Sequence, residues 1–390
     1  MLSEAVQTSN SDLSQSAFDS ALAGIEDAKV ALLKYHDCLS DNATTQASCE
    51  DIIVAMQHET STSNCDIVRE ILFGREAGEE HETIIQSSTD GVGSEMEQAY
   101  TCVLISEDND NYLGQLNDNY HSKIVPLRTA NLDSLEYVRV DWYSSVNAST
   151  NAPNVDTPSS NLKSTNKPAN YDDNSNTGLL PARDTTNPMA PPILGVQLLQ
   201  TDTAFTFADL DLNNGNNTNR GALLLYPSDT ATDTLIESTA STGFSASADK
   251  AINIPTAIKC QPNNSTEIPY FCSATLAIPK PYNGGSRNEG STFLRVFLPY
   301  GTPDTDFSVT LCRDSSCAPG STMPFLGVQA RIDSTGRAND LFRRVEVRVE
   351  LVDVYFPFPE YSAAITGDGL DKNFWVTKNN WGYADSGYVK

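Results

Sequence analysis

SQSAFDSALAGIEDAKVALLKY, residues 14–35, is the most informative segment of the sequence. Its apolar residues recur at steps of three and four, which places them on one side of a helix with 3.6 residues per turn. They are Phe18, Ala21, Leu22, Ile25, Ala28, Leu32 and Leu33. The preceding residues 2–13 are rich in Ser, Asn and Thr, so a helix that continued in that direction would be exposed. The pattern predicts an amphipathic helix whose apolar face packs on another part of the chain.

The charge of the chain limits its function classes. It contains 25 basic and 51 acidic residues, which gives a formal net charge of -26. A charge of this sign repels phosphate backbones and anionic lipids, so we expect no nucleic-acid partner. With 390 residues, the chain is long enough to bury a sizeable core and to form more than one domain, or one domain with large insertions.

The eight cysteines favour disulfides over a metal site. None lies in a CxxC pair, and the chain has only four histidines, so a structural zinc site has few ligands available. The cysteines fall into two clusters, which are Cys38, Cys49, Cys65 and Cys102, and then Cys260, Cys272, Cys312 and Cys317. We predict pairing of neighbours along the chain within each cluster. Disulfides indicate an oxidising compartment, so we expect an extracellular protein.

Most of the remaining chain has the pattern of short β-strands. After two further short helices at 50–58 and 65–73, strands are expected at 100–105 and 135–143. From residue 191 onward, apolar runs bounded by Pro, Gly or Asn predict an all-β region. Its expected strands are 193–200, 205–210, 222–226, 251–258, 271–278, 293–298, 307–312, 325–332 and 343–354. In the last of these, Val345, Val347 and Val349 alternate with charged residues, which predicts one buried face and one exposed face.

Three polar stretches are predicted to be loops. Residues 74–93 are acidic, 106–116 are dense in carboxylates, and 144–187 lose all periodicity and fill with Asn, Ser, Thr, Pro and Asp. Such composition is typical of turns, linkers and surface insertions.

One motif offers candidate calcium ligands. Asp209, Asp211 and Asn213 alternate along the chain before Gly215, and a curled loop can turn alternate oxygen-bearing side chains toward a hard cation such as Ca²⁺. The match to an EF-hand loop is incomplete, because the glycine comes one position late and Arg220 stands where an acidic ligand is expected. An Asn-Gly turn between two strands explains the same residues and is the favoured interpretation.

The chain lacks the common catalytic motifs. His58-Glu59 and His81-Glu82 begin like a zinc-protease motif, but the position of the second histidine holds Thr62 or Ile85. No Gly-x-Ser-x-Gly elbow and no phosphate-binding glycine loop occurs. We therefore predict no catalytic residues.

The N-terminal pattern resembles a known family. Ala17, Phe18, Ala21, Ala23, Gly24, Ile25 and Ala28 follow the order found in the second half of the long N-terminal helix of type IV minor pilins, especially PilX-like ones. The resemblance covers roughly the first 35 residues. In that family a run of about 20 apolar residues precedes this segment and anchors the protein in the inner membrane before assembly. No such run is present in this sequence, so we interpret Met1 as a start that follows removal of the anchor.

The resemblance implies an α+β fold in which the N-terminal amphipathic helix packs on an antiparallel β-sheet, with a large β-rich head. Phe18, Leu22, Ile25 and Leu32 would anchor the helix on that sheet. We therefore expect a pilin-like helix and first part of the sheet at 1–143, and a linker or insertion at 144–190. The β-rich head is expected at 191–335, and a final strand with an aromatic segment that closes the sheet at 336–390.

The expected function is that of a non-enzymatic minor pilin of a type IV pilus, at or near the tip, which primes pilus assembly, mediates adhesion, or does both. Its partners would be other pilins of the same pilus and a surface receptor or glycan on a target cell. The alternative is a secreted or envelope-bound carbohydrate-active enzyme or sugar-binding protein. A convergent pocket with two carboxylates and an aromatic platform would favour that alternative.

Overall fold

The computed structural model describes about half of the chain. The described residues are 2–40, 47–57, 65–73, 82–86, 97–117, 121–130, 134–144, 162–163, 167–168, 191–200, 223–228, 235–236, 255–260, 269–278, 292–299, 304–351, 377–378 and 382–383. The chain divides into two compact units. Unit 1 comprises Met1–Tyr112 and Pro324–Val354, and unit 2 comprises Leu113–Met323 and Tyr355–Lys390.

Unit 1 is built from three helices and an antiparallel sheet. The helices are α1 (Leu2–Ser40), α2 (Ala47–Gln57) and α3 (Ile67–Phe73). Its strands are β1 (Thr83–Gln86), β2 (Gln98–Ser106), β16 (Gln329–Ala338) and β17 (Leu341–Glu350). They pair in the order β1-β2-β16-β17, and each pair is antiparallel. The core lies between this sheet and the helices, and it includes Ile25, Leu32, Ile67 and Val103.

Unit 2 consists mainly of two larger sheets. Its strands are β3 (Tyr112–Leu116), β4 (Ser122–Pro126), β5 (Tyr137–Ser144), β6 (Leu162–Lys163), β7 (Lys167–Pro168), β8 (Leu194–Gln200), β9 (Leu223–Ser228), β10 (Leu235–Ile236), β11 (Pro255–Lys259), β12 (Tyr270–Ala277), β13 (Thr292–Phe297), β14 (Thr305–Cys312), β15 (Thr322–Met323), β18 (Thr377–Lys378) and β19 (Gly382–Tyr383). One sheet has the order β10-β12-β5-β14-β15, with β3 also paired to β14, and the other has the order β11-β9-β8-β13-β4. Parallel pairing joins β10 to β12 and β9 to β11. Antiparallel pairing joins β5 to β12 and β14, β14 to β15, β8 to β9 and β13, and β13 to β4.

The predicted α+β class is confirmed, and the sheets are dominated by antiparallel pairing. The two short helices are also present, close to their predicted positions. In β17, Val345, Val347 and Val349 pack against the core as the alternation predicts, while Arg344 and Glu346 are exposed.

Several predicted loops and boundaries differ from the structure. The stretch 74–93 contains strand β1, and 106–116 contains strand β3. Both strands are short, and their sequences lack a regular alternation because β1 has two adjacent isoleucines and β3 contains a central glycine. Strand β4 was not predicted at all. The predicted strand 325–332 is interrupted, since Gly327 has a φ of 57° and regular pairing resumes only at Gln329.

The compact units do not follow the predicted domain boundaries. Strand β5, expected in the N-terminal domain, lies between β12 and β14 in unit 2, and β16, expected mainly in the head, lies between β2 and β17 in unit 1. Strand pairing over long sequence separation, which no local pattern reveals, determines these memberships. The expected strand 205–210 and most of the expected linker lie outside the described residues.

Candidate functional site

Helix α1 lies very close to strand β16, and small residues make this approach possible. Ala17, Ala21 and Ala28 are fully buried along the contact. A Cβ atom placed on Gly336 would lie 2.2 Å from the backbone oxygen of Ala17 and 2.2 Å from the backbone nitrogen of Ala21. A residue with any side chain at position 336 would therefore push the helix away from the sheet. The backbones of the two elements are in direct contact at this point.

A second glycine continues the contact from the helix side. A Cβ atom placed on Gly24 would lie 2.5 Å from Ser334 Oγ, 3.0 Å from Val103 Cγ2 and 3.1 Å from Tyr100 Cγ. Gly24 thus faces strands β16 and β2, and its missing side chain lets the helix follow the sheet surface. Ile25 and Leu32, next to this line of small residues, are 2% exposed and fill the core.

Two of the four predicted packing residues are not core anchors. Ile25 and Leu32 are buried as expected, but Phe18 is 39% exposed and Leu22 is 37% exposed. The prediction is wrong for these two because the backbones of α1 and β16 meet at Ala17, Ala21 and Gly336, and this part of the contact has no space for large side chains. They lie along its side instead. Apolar periodicity marks a broad face of the helix, but it does not distinguish the small residues that meet the sheet from the large ones beside them.

Polar contacts hold the same helix in register. The Tyr100 hydroxyl of β2 donates to Asp27 Oδ2 at 2.8 Å, and Arg343 Nε of β17 donates to Ser14 Oγ at 2.8 Å. Burial is the largest cause that raises the pKa of Tyr100, and the Asp27 carboxylate raises it further. Tyr100 therefore stays protonated and keeps its role as a donor.

Four disulfides form, and they pair the cysteines as the clusters suggested. The pairs are Cys38–Cys49, Cys65–Cys102, Cys260–Cys272 and Cys312–Cys317. The first joins the end of α1 to α2, and the second joins the segment before α3 to β2. These two disulfides of unit 1 connect α2 to α1 and connect the segment before α3 to the sheet. Four disulfides are typical of an extracellular protein.

The exposed side of α1 carries large apolar residues in one stripe. We call this stripe the apolar flank, and it consists of Phe18, Leu22, Val30 and Leu33, which are 39%, 37%, 45% and 66% exposed. Their spacing places them within about 120° of the helix circumference and along about 22 Å of its axis. Glu26 and Lys29 lie within the same sector and form an ion pair at 2.7 Å. An exposed apolar stripe on a helix is typical of a surface that meets another protein.

The structure also brings two carboxylates of unit 2 near a tyrosine. Burial raises the pKa of Tyr270 to about 12, and Asp306 and Asp141 add to the effect. Each carboxylate already has protein partners, however. Asp141 pairs with Arg139 Nε at 3.0 Å, whereas Asp306 accepts hydrogen bonds from Ser144 Oγ at 2.7 Å and from Gln115 Nε2 at 3.0 Å. This bonding is typical of a structural network between strands.

The calcium candidates Asp209, Asp211 and Asn213 lie outside the described residues. Within the parts of the chain that are described, no three metal-ligating side chains come together. In the same parts, no helix has the length and apolar character needed to cross a bilayer.

Comparison of the chain with protein-family models, curated proteins and solved structures found no match.

Proposed function

We propose that this protein is a minor pilin of a type IV pilus, located at or near the tip, where it primes assembly, mediates adhesion, or does both. The observation that carries the proposal is the seating of α1 on an antiparallel four-stranded sheet while its apolar flank stays exposed. One side of α1 packs on the sheet of its own subunit. The other side is exposed, so it could contact the helices of neighbouring subunits. The resemblance of residues 17–28 to PilX-like pilins supports the same interpretation.

Position near the tip is proposed from the size of the molecule. Unit 2 comprises Leu113–Met323 together with Tyr355–Lys390 and is the larger of the two units. A bulky unit is tolerated at the end of a filament, whereas it would have to be accommodated in every layer of a shaft. We propose other pilins as partners of the apolar flank, and a surface receptor or glycan as the partner of unit 2.

The alternative is a secreted or envelope-bound carbohydrate-active enzyme or sugar-binding protein. The enzyme has less support, because it requires two carboxylates that are free to act on a sugar. Asp141 and Asp306 approach Tyr270, but both are engaged by neighbouring side chains. We therefore place the non-enzymatic, pilus-associated function first.

The proposal predicts that charge on the apolar flank blocks incorporation into the pilus. The double variant Phe18→Lys, Leu22→Lys should lose its incorporation into sheared pili, because lysine ammonium groups would have to be desolvated at the helix contact. The two residues are more than one third exposed, so the protein should still fold. Incorporation is measured by immunoblot of the pilus fraction from cells that produce the pilus, and folding by thermal melting of the purified protein.

Val54→Lys is the matched control. Val54 is 50% exposed and lies on α2, which is not part of the flank, so this variant should be incorporated normally. If the double variant folds and enters pili as the parent does, the flank is not an assembly surface.

The upstream sequence of the natural gene is a second test. An ordinary cleavable secretion signal directly upstream of residue 1 would argue against the pilin assignment.

A further inference from the structure

Two arginines lie directly opposite each other on the face of the unit 1 sheet that points away from α1. In the pairing of β16 with β17, Arg331 is the partner of Arg348. The flanking residues Ala330 and Ile332 point into the helix-side core, so alternation places both arginines on the other face. Directly opposed residues of antiparallel strands bring their side chains to about 5 Å, where like charges destabilise the pair.

Arg348 also has guanidinium N–H groups without hydrogen-bond acceptors. Its Nε and Nη1 atoms are buried and have no hydrogen-bond partner. Glu346 Oε1 is 3.7 Å from Nε, which is too far for a hydrogen bond. Burial is the largest cause that lowers the pKa of Arg348, and the Arg331 charge lowers it further, whereas Glu346 and Asp110 act in the opposite direction. A buried guanidinium that lacks acceptors is costly.

Two other arginines on this face of the sheet have carboxylate hydrogen-bond partners. Arg344 makes a two-point contact with the buried Asp333, and Arg337 makes one with Glu82, at 3.1 and 2.6 Å. Arg331 is exposed, and 17% of the Arg348 side chain still reaches solvent. A ligand from solvent can therefore reach the pair at Arg331 and at the small exposed part of Arg348.

We propose that Arg331 and Arg348 form a binding site for a carboxylate ligand. A carboxylate has the planar, two-oxygen geometry that guanidinium groups bind best. Placed between the two side chains, it neutralises their repulsion, and a small rotation of Arg348 lets it accept from the N–H groups that lack acceptors. The site is independent of the apolar flank and of the proposed function.

The test uses glutarate as the probe and the whole chain. Glutarate should raise the melting temperature of the parent protein in a saturable way, relative to sodium chloride at equal ionic strength. Arg331→Gln should remove this rise. In the absence of glutarate, Arg331→Gln should itself raise the melting temperature by roughly 1–3 °C, because it removes the like-charge pair.

Arg344→Gln is the matched control. It removes an arginine of the same strand face that already has a carboxylate partner, so it should lower the melting temperature but leave the glutarate response intact. In ¹⁵N spectra of the parent, the Arg348 Nε–H signal should shift on titration with glutarate.

Phosphate is the comparison anion, and a weaker rise than that produced by glutarate is expected. An equal rise in parent and Arg331→Gln would mean a nonspecific salt effect and would overturn the site. The site would also be overturned if glutarate neither raised the melting temperature of the parent protein nor shifted the Arg348 Nε–H signal. A larger response to phosphate would contradict the carboxylate assignment.

Discussion

At the scale of single residues, two glycines allow α1 to lie close to the sheet. Gly336 faces the helix backbone, whereas Gly24 faces side chains of the sheet. A backbone cannot move away from a new methyl group without moving the whole helix, but a serine side chain can change its rotamer. The two glycines should therefore respond differently to the same substitution.

Gly336→Ala should destabilise unit 1 by about 3 kcal/mol, because its Cβ would overlap backbone atoms of Ala17 and Ala21. Gly24→Ala is the matched variant. Its methyl group meets Ser334 Oγ at 2.5 Å, and that cost is offset by about 1 kcal/mol of helix propensity, so its net effect should be small. Urea unfolding followed by circular dichroism measures both. Equal losses for the two variants would contradict the direct backbone contact.

At the scale of elements, disulfides hold the two short helices against the rest of unit 1. Cys65–Cys102 joins residues 37 positions apart, whereas Cys312–Cys317 spans a separation of 5. A longer closed loop restricts the unfolded chain more strongly. Cys65–Cys102 also connects the segment before α3 to β2, whereas Cys312–Cys317 closes a turn at the end of β14.

Replacement of both Cys65 and Cys102 by Ser should therefore lower the free energy of unfolding by about 4 kcal/mol, compared with about 2 kcal/mol for the pair Cys312 and Cys317. Chemical unfolding of the two double variants under non-reducing conditions provides the comparison. A larger loss from the short bridge would show that loop closure does not control the stability of these regions.

At the scale of the whole molecule, the chain forms two compact units, each with its own core. Ile25 is 2% exposed in the core of unit 1, and Leu276 is fully buried in unit 2. Units with separate cores are expected to unfold in separate steps.

Ile25→Ala and Leu276→Ala form a matched pair for this expectation. Each removes a buried aliphatic side chain and should cost roughly 2–5 kcal/mol. In differential scanning calorimetry, each variant should lower a different one of two transitions. A single transition that both variants lower by the same amount would mean that the two units unfold as one.

Local sequence patterns were enough to predict the helix at 14–35, the pairing of the cysteines by their clustering and the alternating strand β17, because these depend on periodicity and spacing over a few residues. The α+β class was predicted from the resemblance of the first 35 residues to type IV minor pilins. The sequence also contained Gly336 inside a strand, which in retrospect indicates a close backbone approach. The tertiary structure alone decided that Phe18 and Leu22 lie beside the contact and that β16 and β17 join β2. It also decided that Arg331 faces Arg348. The first two features depend on which distant residues meet, and no local pattern encodes the size of a partner more than 200 residues away. The third follows from the register of the β16–β17 hairpin.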